Sequence, residues 1–100
     1  MKIIVSDEAD NDLLLIFSYL HQQSSQAAEL IAAEINRCFE NLSTFPFSGS
    51  SRSRLGPDIR LAVVSPYSIL YAVRNDHITI LRVLHGSRDI ENEFRRKEPE

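Results

Sequence analysis

"IRLAVVSPYSILYAVRNDHITILRVL", residues 59–84, decides the fold. It holds three β-rich runs, at 59–64, 67–73 and 78–84. "SP" separates the first two and "RNDH" the last two. Asn and Asp in so short a link are turn chemistry, and short links favour antiparallel pairing of neighbours. The second half of the chain therefore reads as a three-stranded meander.

Outward toward the N-terminus the pattern changes period. "KIIV" at 2–5 is a short strand. Ser6 or Asp7 then caps a helix, with Asp7, Glu8 and Asp10 where the helix dipole favours negative charge. Ala9, Leu13, Ile16, Phe17 and Leu20 fall at intervals of three and four, the spacing of a buried helical stripe. "HQQSSQ" interrupts it, and Ser24 or Ser25 caps a second helix with the stripe Ala28, Ile31, Ile35, Cys38, Phe39 and Leu42. Between this helical hairpin and the meander lies a Ser-, Gly- and Pro-rich loop, 43–58. The tail after about residue 90 reads as a short polar helix that frays.

The expected fold class is α+β: a β-αα-βββ domain spanning residues 1–100, with the helical hairpin on one face of a small antiparallel sheet. Strict alternation leaves a remainder. Tyr67, Ile69, Tyr71 and Val73 share one face, while Leu70 and Ala72 lie on the other with Ser68. In the last run Ile78, Ile80 and Leu84 oppose Leu81 and Val83. Two helices cover one face only. The apolar residues of the second face call for a partner, or for the loop and tail to fold over them.

Composition narrows the function. The chain is 43% hydrophobic and 25% charged, ordinary for a globular domain. A single cysteine, Cys38, rules out an internal disulfide and reads as a small core residue. Acids follow within a few residues of the N-terminus and no apolar run approaches a membrane span, so a cytoplasmic protein without membrane partners is expected. The net charge of −3 is uneven: residues 1–50 carry −5 and residues 51–100 carry +2. That balance gives no general attraction to nucleic acid, but arginines can still grip carboxylate or phosphate locally. His21, His77 and His85 show no metal-ligand spacing, and three glycines make no phosphate-cradling loop; neither metal nor cofactor is expected. His85 with Arg88 is the one arrangement able to do chemistry, an imidazole to move a proton beside a guanidinium to hold charge. The competing reading is structural: His85 ends a strand, Gly86 makes the turn, and Arg88 pairs with Asp89 or Glu91.

The order β-αα-βββ, "LSTFPFSGSSRSRLGPDIR" (42–60), "SPYSILYAV" (65–73) and "ILRVLHGSRDI" (80–90) together resemble the ParE/RelE toxins of bacterial type II toxin–antitoxin modules. The resemblance runs from residue 3 to about 90. It implies two activities on one fold: ribosome-dependent mRNA cleavage in the RelE-like branch, and action on DNA gyrase in the ParE-like branch. RelE-like members place an arginine just after the strand tyrosine and can carry a tyrosine near the C-terminus. Here those slots hold Ser68 and Phe94, while Arg88 matches the closing arginine. The "VLHGSRD" ending is typical of the ParE-like branch. The resemblance thus implies a gyrase-directed toxin that is not an enzyme, forming a hetero-oligomer with a ParD-like or similar antitoxin. Antitoxin contact would fall on Arg60, Leu70, Arg74 and Arg82, and target contact on His85 and Arg88. The alternatives are an endoribonuclease using His85 and Arg88, or a relic that only binds its antitoxin.

Overall fold

The computed structural model describes residues 1–86 and 90–95. The elements are β1 (Lys2–Val5), α1 (Asp7–Gln23), α2 (Ser25–Thr44), β2 (Ser50–Ser51), β3 (Ile59–Val64), β4 (Tyr67–Val73), β5 (His77–His85) and α3 (Ile90–Arg95). Each helix of the hairpin begins on a serine cap. The Ser6 hydroxyl accepts the Ala9 amide at 3.1 Å, and that of Ser24 accepts the Ala27 amide at 3.2 Å.

The five strands form one sheet in the order β1-β5-β4-β3-β2. The meander is antiparallel, as its short links require. The expected antiparallel sheet is mixed at its edge, because β1 runs parallel to β5. The short-link rule binds only chain neighbours, and β1 reaches β5 after the helices and the rest of the meander. The loop also contributes β2, two residues beside β3.

The helices pack on one face. Ala9, Ile35 and Leu42 meet Val64, Tyr67, Ile69, Tyr71, Ile78, Ile80 and Val83 in the main core. The expected stripes of α1 and α2 supply the helical side, with Leu13, Ile16, Phe17, Ile31, Cys38 and Phe39 packed against it. The opposite face carries a second cluster, in which Ile90 of α3 joins Leu61, Leu70 and Leu84, with Leu55, Ile59, Leu81 and Phe94 against them. The loop and the tail thus fold over the second face.

Strict alternation misplaces two residues of β5. Tyr71 pairs with Ile80 but Leu70 pairs with Arg82, so Leu81 is an extra residue in the strand. The bulge reverses the faces beyond it. Val83 joins Ile78 and Ile80 under the helices, and Leu84 turns to the second cluster. Local chemistry holds this irregularity. β1 ends opposite Ile80, whose carbonyl accepts the Ser6 amide. The Ser6 hydroxyl donates to the Leu81 carbonyl at 3.1 Å. Asp12 of α1 then takes over the edge. It accepts the Val83 amide at 2.9 Å and two bonds from Arg82, at 2.7 and 2.9 Å.

The Asp12 and Arg82 side chains are 11% and 15% exposed, so the pair is shielded from water. Removing Asp12 strands the Arg82 charge and the Val83 amide. Asp12→Ala is expected to cost about 3 kcal/mol, at the lower end for a broken buried pair. Urea unfolding of the two proteins measures it, and a loss below about 1 kcal/mol would make the pair a surface-like one.

Candidate functional site

Two ends of the sheet carry polar chemistry. At the first, β3 and β4 turn through Ser65 and Pro66, joined by a cis peptide bond, and β5 ends at His85. Tyr67 and His85 are register partners, and their rings meet edge-to-face at 5.5 Å. Gly86 donates its amide to the Pro66 carbonyl, and the buried Ser68 hydroxyl donates to the Gly86 carbonyl at 2.7 Å. Gly86 has φ of +81°, a conformation glycine adopts without strain. Burial, with the nearby Tyr19 hydroxyl second, raises the pKa of Tyr67. His85 itself is exposed, and its ring makes no hydrogen bond among the described residues. Arg88, its expected companion, lies outside the described residues.

At the other end Tyr71 anchors the long loop. Its ring is fully buried on β4, and its hydroxyl accepts the Gly49 amide at 2.9 Å and donates to the Pro46 carbonyl at 2.8 Å. Only glycine fits at 49: an added Cβ would lie 2.6 Å from both the Tyr71 hydroxyl and the Leu61 carbonyl. Arg60 grips the same loop through the Gly49 and Phe47 carbonyls at 2.6 and 3.2 Å, and its guanidinium lies 5.1 Å from the centre of the exposed Phe47 ring. Arg74, just past β4, pairs with Asp58, just before β3, at 3.4 Å. Phe47, Asp58, Arg60, Val73 and Arg74 line one open cleft of about 520 Å³.

The five described residues expected at functional contacts, Arg60, Leu70, Arg74, Arg82 and His85, are therefore dispersed. Arg60 and Arg74 share this cleft, both half-engaged by the protein's own acceptors. Arg82 is committed to Asp12 and to the Glu93 carbonyl of α3, at 3.3 Å. Leu70 is fully buried in the cluster that α3 covers. His85 stands at the opposite end from the cleft. Sequence reasoning missed Tyr67, Tyr71, Gly49 and Asp12. Pairing Tyr67 with His85 was open to it, since a hairpin register brings the start of β4 opposite the end of β5. Asp12 gave no such signal, because an acid in the second turn of a helix usually faces water.

The molecule is a small α+β domain with a helical hairpin on a mixed sheet that is polar at both ends. The family model "ParE toxin of type II toxin-antitoxin system, parDE" matches residues 3–90, and the chain belongs to that family. Toxin ParE3 of Caulobacter vibrioides is 28% identical over 99 residues, covering 96% of this chain and 97% of that protein. The fold matches a solved chain of the chromosomal ParDE TA system from P. aeruginosa, with a TM-score of 0.71 at 22% identity over 87% of this chain and 97% of that one.

Burial, offset by the Gly49 hydrogen bond and by Arg60, raises the pKa of Tyr71. The native state then holds this proton more tightly than the unfolded chain does. Its stabilising contribution is whole below the ordinary tyrosine pKa near 10 and is lost as pH rises through the raised native value. Tyr71→Phe is expected to cost about 1–3 kcal/mol at neutral pH, by leaving the Gly49 amide without its acceptor. It should also flatten the loss of stability above about pH 10. Denaturant melts at several pH values check both, and an unchanged alkaline limb would exclude Tyr71 as its source.

Proposed function

We propose that this chain is the toxin of a two-component module, held inactive by a cognate antitoxin and acting on DNA gyrase when free. Family membership supports the toxin role. The choice of gyrase rests on one observation, the filling of the two slots that the RNA-cleaving branch equips with chemistry. Ser68 is 1% exposed and spends its hydroxyl on the Gly86 carbonyl, so it offers substrate nothing. Phe94 is packed against the second apolar cluster and has no proton to give. His85 remains, without an acid or a second base bonded to it among the described residues. A general acid–base mechanism works through positioned partners. An exposed imidazole beside a tyrosine ring is instead a recognition edge.

The antitoxin reading draws support from the relatives. The P. aeruginosa structure is described as a ParDE TA system, and the family model names the same pairing. The toxin and antitoxin would form a hetero-oligomer. Arg60 and Arg74, lining a cleft with the exposed Phe47, keep guanidinium donors available to partner carboxylates. Leu70 becomes available only where a partner segment replaces α3. No helix in the described residues is long and apolar enough to cross a membrane.

A supercoiling assay with purified gyrase is the test. The protein is expected to stop supercoiling, or to accumulate cleaved DNA only when gyrase is present, and added antitoxin should reverse the effect. His85→Ala should weaken inhibition without abolishing folding. Gyrase left untouched by a folded, antitoxin-binding protein would refute the reading. Cleavage of mRNA on ribosomes, lost in His85→Ala, would then place the chain in the ribonuclease branch; harmlessness in both assays would make it a relic that only binds antitoxin.

A further inference from the structure

We propose that the cleft between the long loop and the start of β3 binds single-stranded nucleic acid, with a phosphate on Arg60 and Arg74 and a base stacked on Phe47. Under the reading proposed above the strand is DNA, and only that choice rests on the reading.

The loop holds Phe47 rigidly. The Tyr71 hydroxyl donates to the Pro46 carbonyl and accepts the Gly49 amide, and Nη1 of Arg60 donates to the carbonyls of Phe47 and Gly49. Four hydrogen bonds thus fix residues 46–49, yet the Phe47 ring is 64% exposed and belongs to neither apolar cluster. A ring kept in water on a fixed backbone adds little to folding. It does offer a ligand a surface that loses little freedom on binding. The Arg60 guanidinium lies over one side of the ring, and the exposure leaves the other side to solvent. Bases stack on such a ring whatever their identity.

The charges beside the ring favour an anion. Among the described residues the cleft is lined by two guanidinium groups against one carboxylate. That carboxylate, Asp58, meets Arg74 at 3.4 Å with both side chains about half exposed, and exposed pairs contribute little. Arg74 can therefore turn to a stronger anion. Arg60 spends only Nη1 on the loop, and its Nε and Nη2 make no hydrogen bond among the described residues. Arg52, also exposed, donates its amide to the Ile59 carbonyl, one residue from Arg60. Asn75 lies on the same lining, and its amide can donate to and accept from a base edge.

A carboxylate would satisfy these arginines as well as a phosphate does. The open ring beside them is what selects a nucleotide, because the phosphate and the base of one unit engage both features. The cleft, at about 520 Å³, has the size of a small-ligand site, which suits a contact with one or two nucleotides and not a long track. A net charge of −3 agrees with so short a contact, since the rest of the surface has no general pull on phosphate.

Fluorescence anisotropy of the full-length chain, free of antitoxin, with an end-labelled thymidine oligomer of about ten nucleotides is the test. Saturable binding is expected, falling with salt at a log–log slope of about −1.4 for two phosphates. Arg74→Gln should make the slope shallower by about 0.7, while Phe47→Ala should weaken binding roughly ten-fold and leave the slope unchanged. Misfolding would not divide the two effects in this way. Amide chemical shifts give a readout that needs no variant: Phe47, Arg74 and Asn75 should move on titration with the unlabelled oligomer, and Gly86 at the opposite end should not. No binding by the folded wild-type chain, equal binding by both variants, or shifts centred on Gly86 overturns the site. A poly-glutamate peptide that binds as tightly as the oligomer, with no loss in Phe47→Ala, makes the cleft a carboxylate site for a protein segment and also overturns it. A uridine oligomer that binds where the thymidine one does not overturns DNA as the strand. None of these measurements contains gyrase or antitoxin, so their failure leaves the toxin reading standing, and a failed supercoiling assay leaves the cleft standing.

Discussion

The Asp12 carboxylate is the constraint on which the rest of the molecule depends. β5 has one residue too many for its neighbour, and Leu81 is the surplus. At that point β1 has ended, so the backbone of β5 beyond Ile80 has lost its strand partner on one side. An unpaired buried amide there would cost as much as a lost hydrogen bond. Asp12 supplies the missing acceptor to Val83 from the second turn of α1, and Arg82 neutralises the charge this brings into a shielded place. Proximity to the Asp12 carboxylate in turn raises the pKa of Arg82. One side chain thus ties α1 to the sheet and makes the bulge tolerable.

The two apolar layers follow from that bulge. Without it, Val83 and Leu84 would each face the wrong way, one out of the main core and the other out of the second cluster. With it, the helical hairpin covers one face and α3 with Leu55 covers the other. The Tyr67–His85 corner and the Arg60–Arg74 cleft then lie at opposite ends of the sheet.

Most of the fold was legible because it rests on periodicity. The stripes of α1 and α2 and the three runs of the meander repeat at 3.6 or 2 residues, and Ala9, Ile35, Leu42, Ile69, Tyr71, Ile78 and Ile80 among them are buried. The bulge was not legible: a period-2 reading has no means of locating one surplus residue, and Leu81 looks like any other strand leucine. The parallel β1 was hidden for a different reason, since a lone strand far along the chain from its partner carries no sign of direction. The expected contact residues fared unevenly because an arginine's sequence position says nothing of its local acceptors. Arg82 and Arg60 look alike in the sequence, yet one is spent on Asp12 and the other on loop carbonyls. Family resemblance, by contrast, lay in whole segments, and the ParE assignment drew on the chain from residue 3 to 90.

Residue-resolved amide hydrogen exchange of the free protein tests the central claim most directly. If Asp12 replaces a missing strand, the Val83 amide exchanges only through global unfolding, as slowly as the amide of Ile69 in the centre of the sheet. A Val83 amide that exchanges orders of magnitude faster than Ile69 would mean that the edge opens on its own, and that the bulge stands without Asp12.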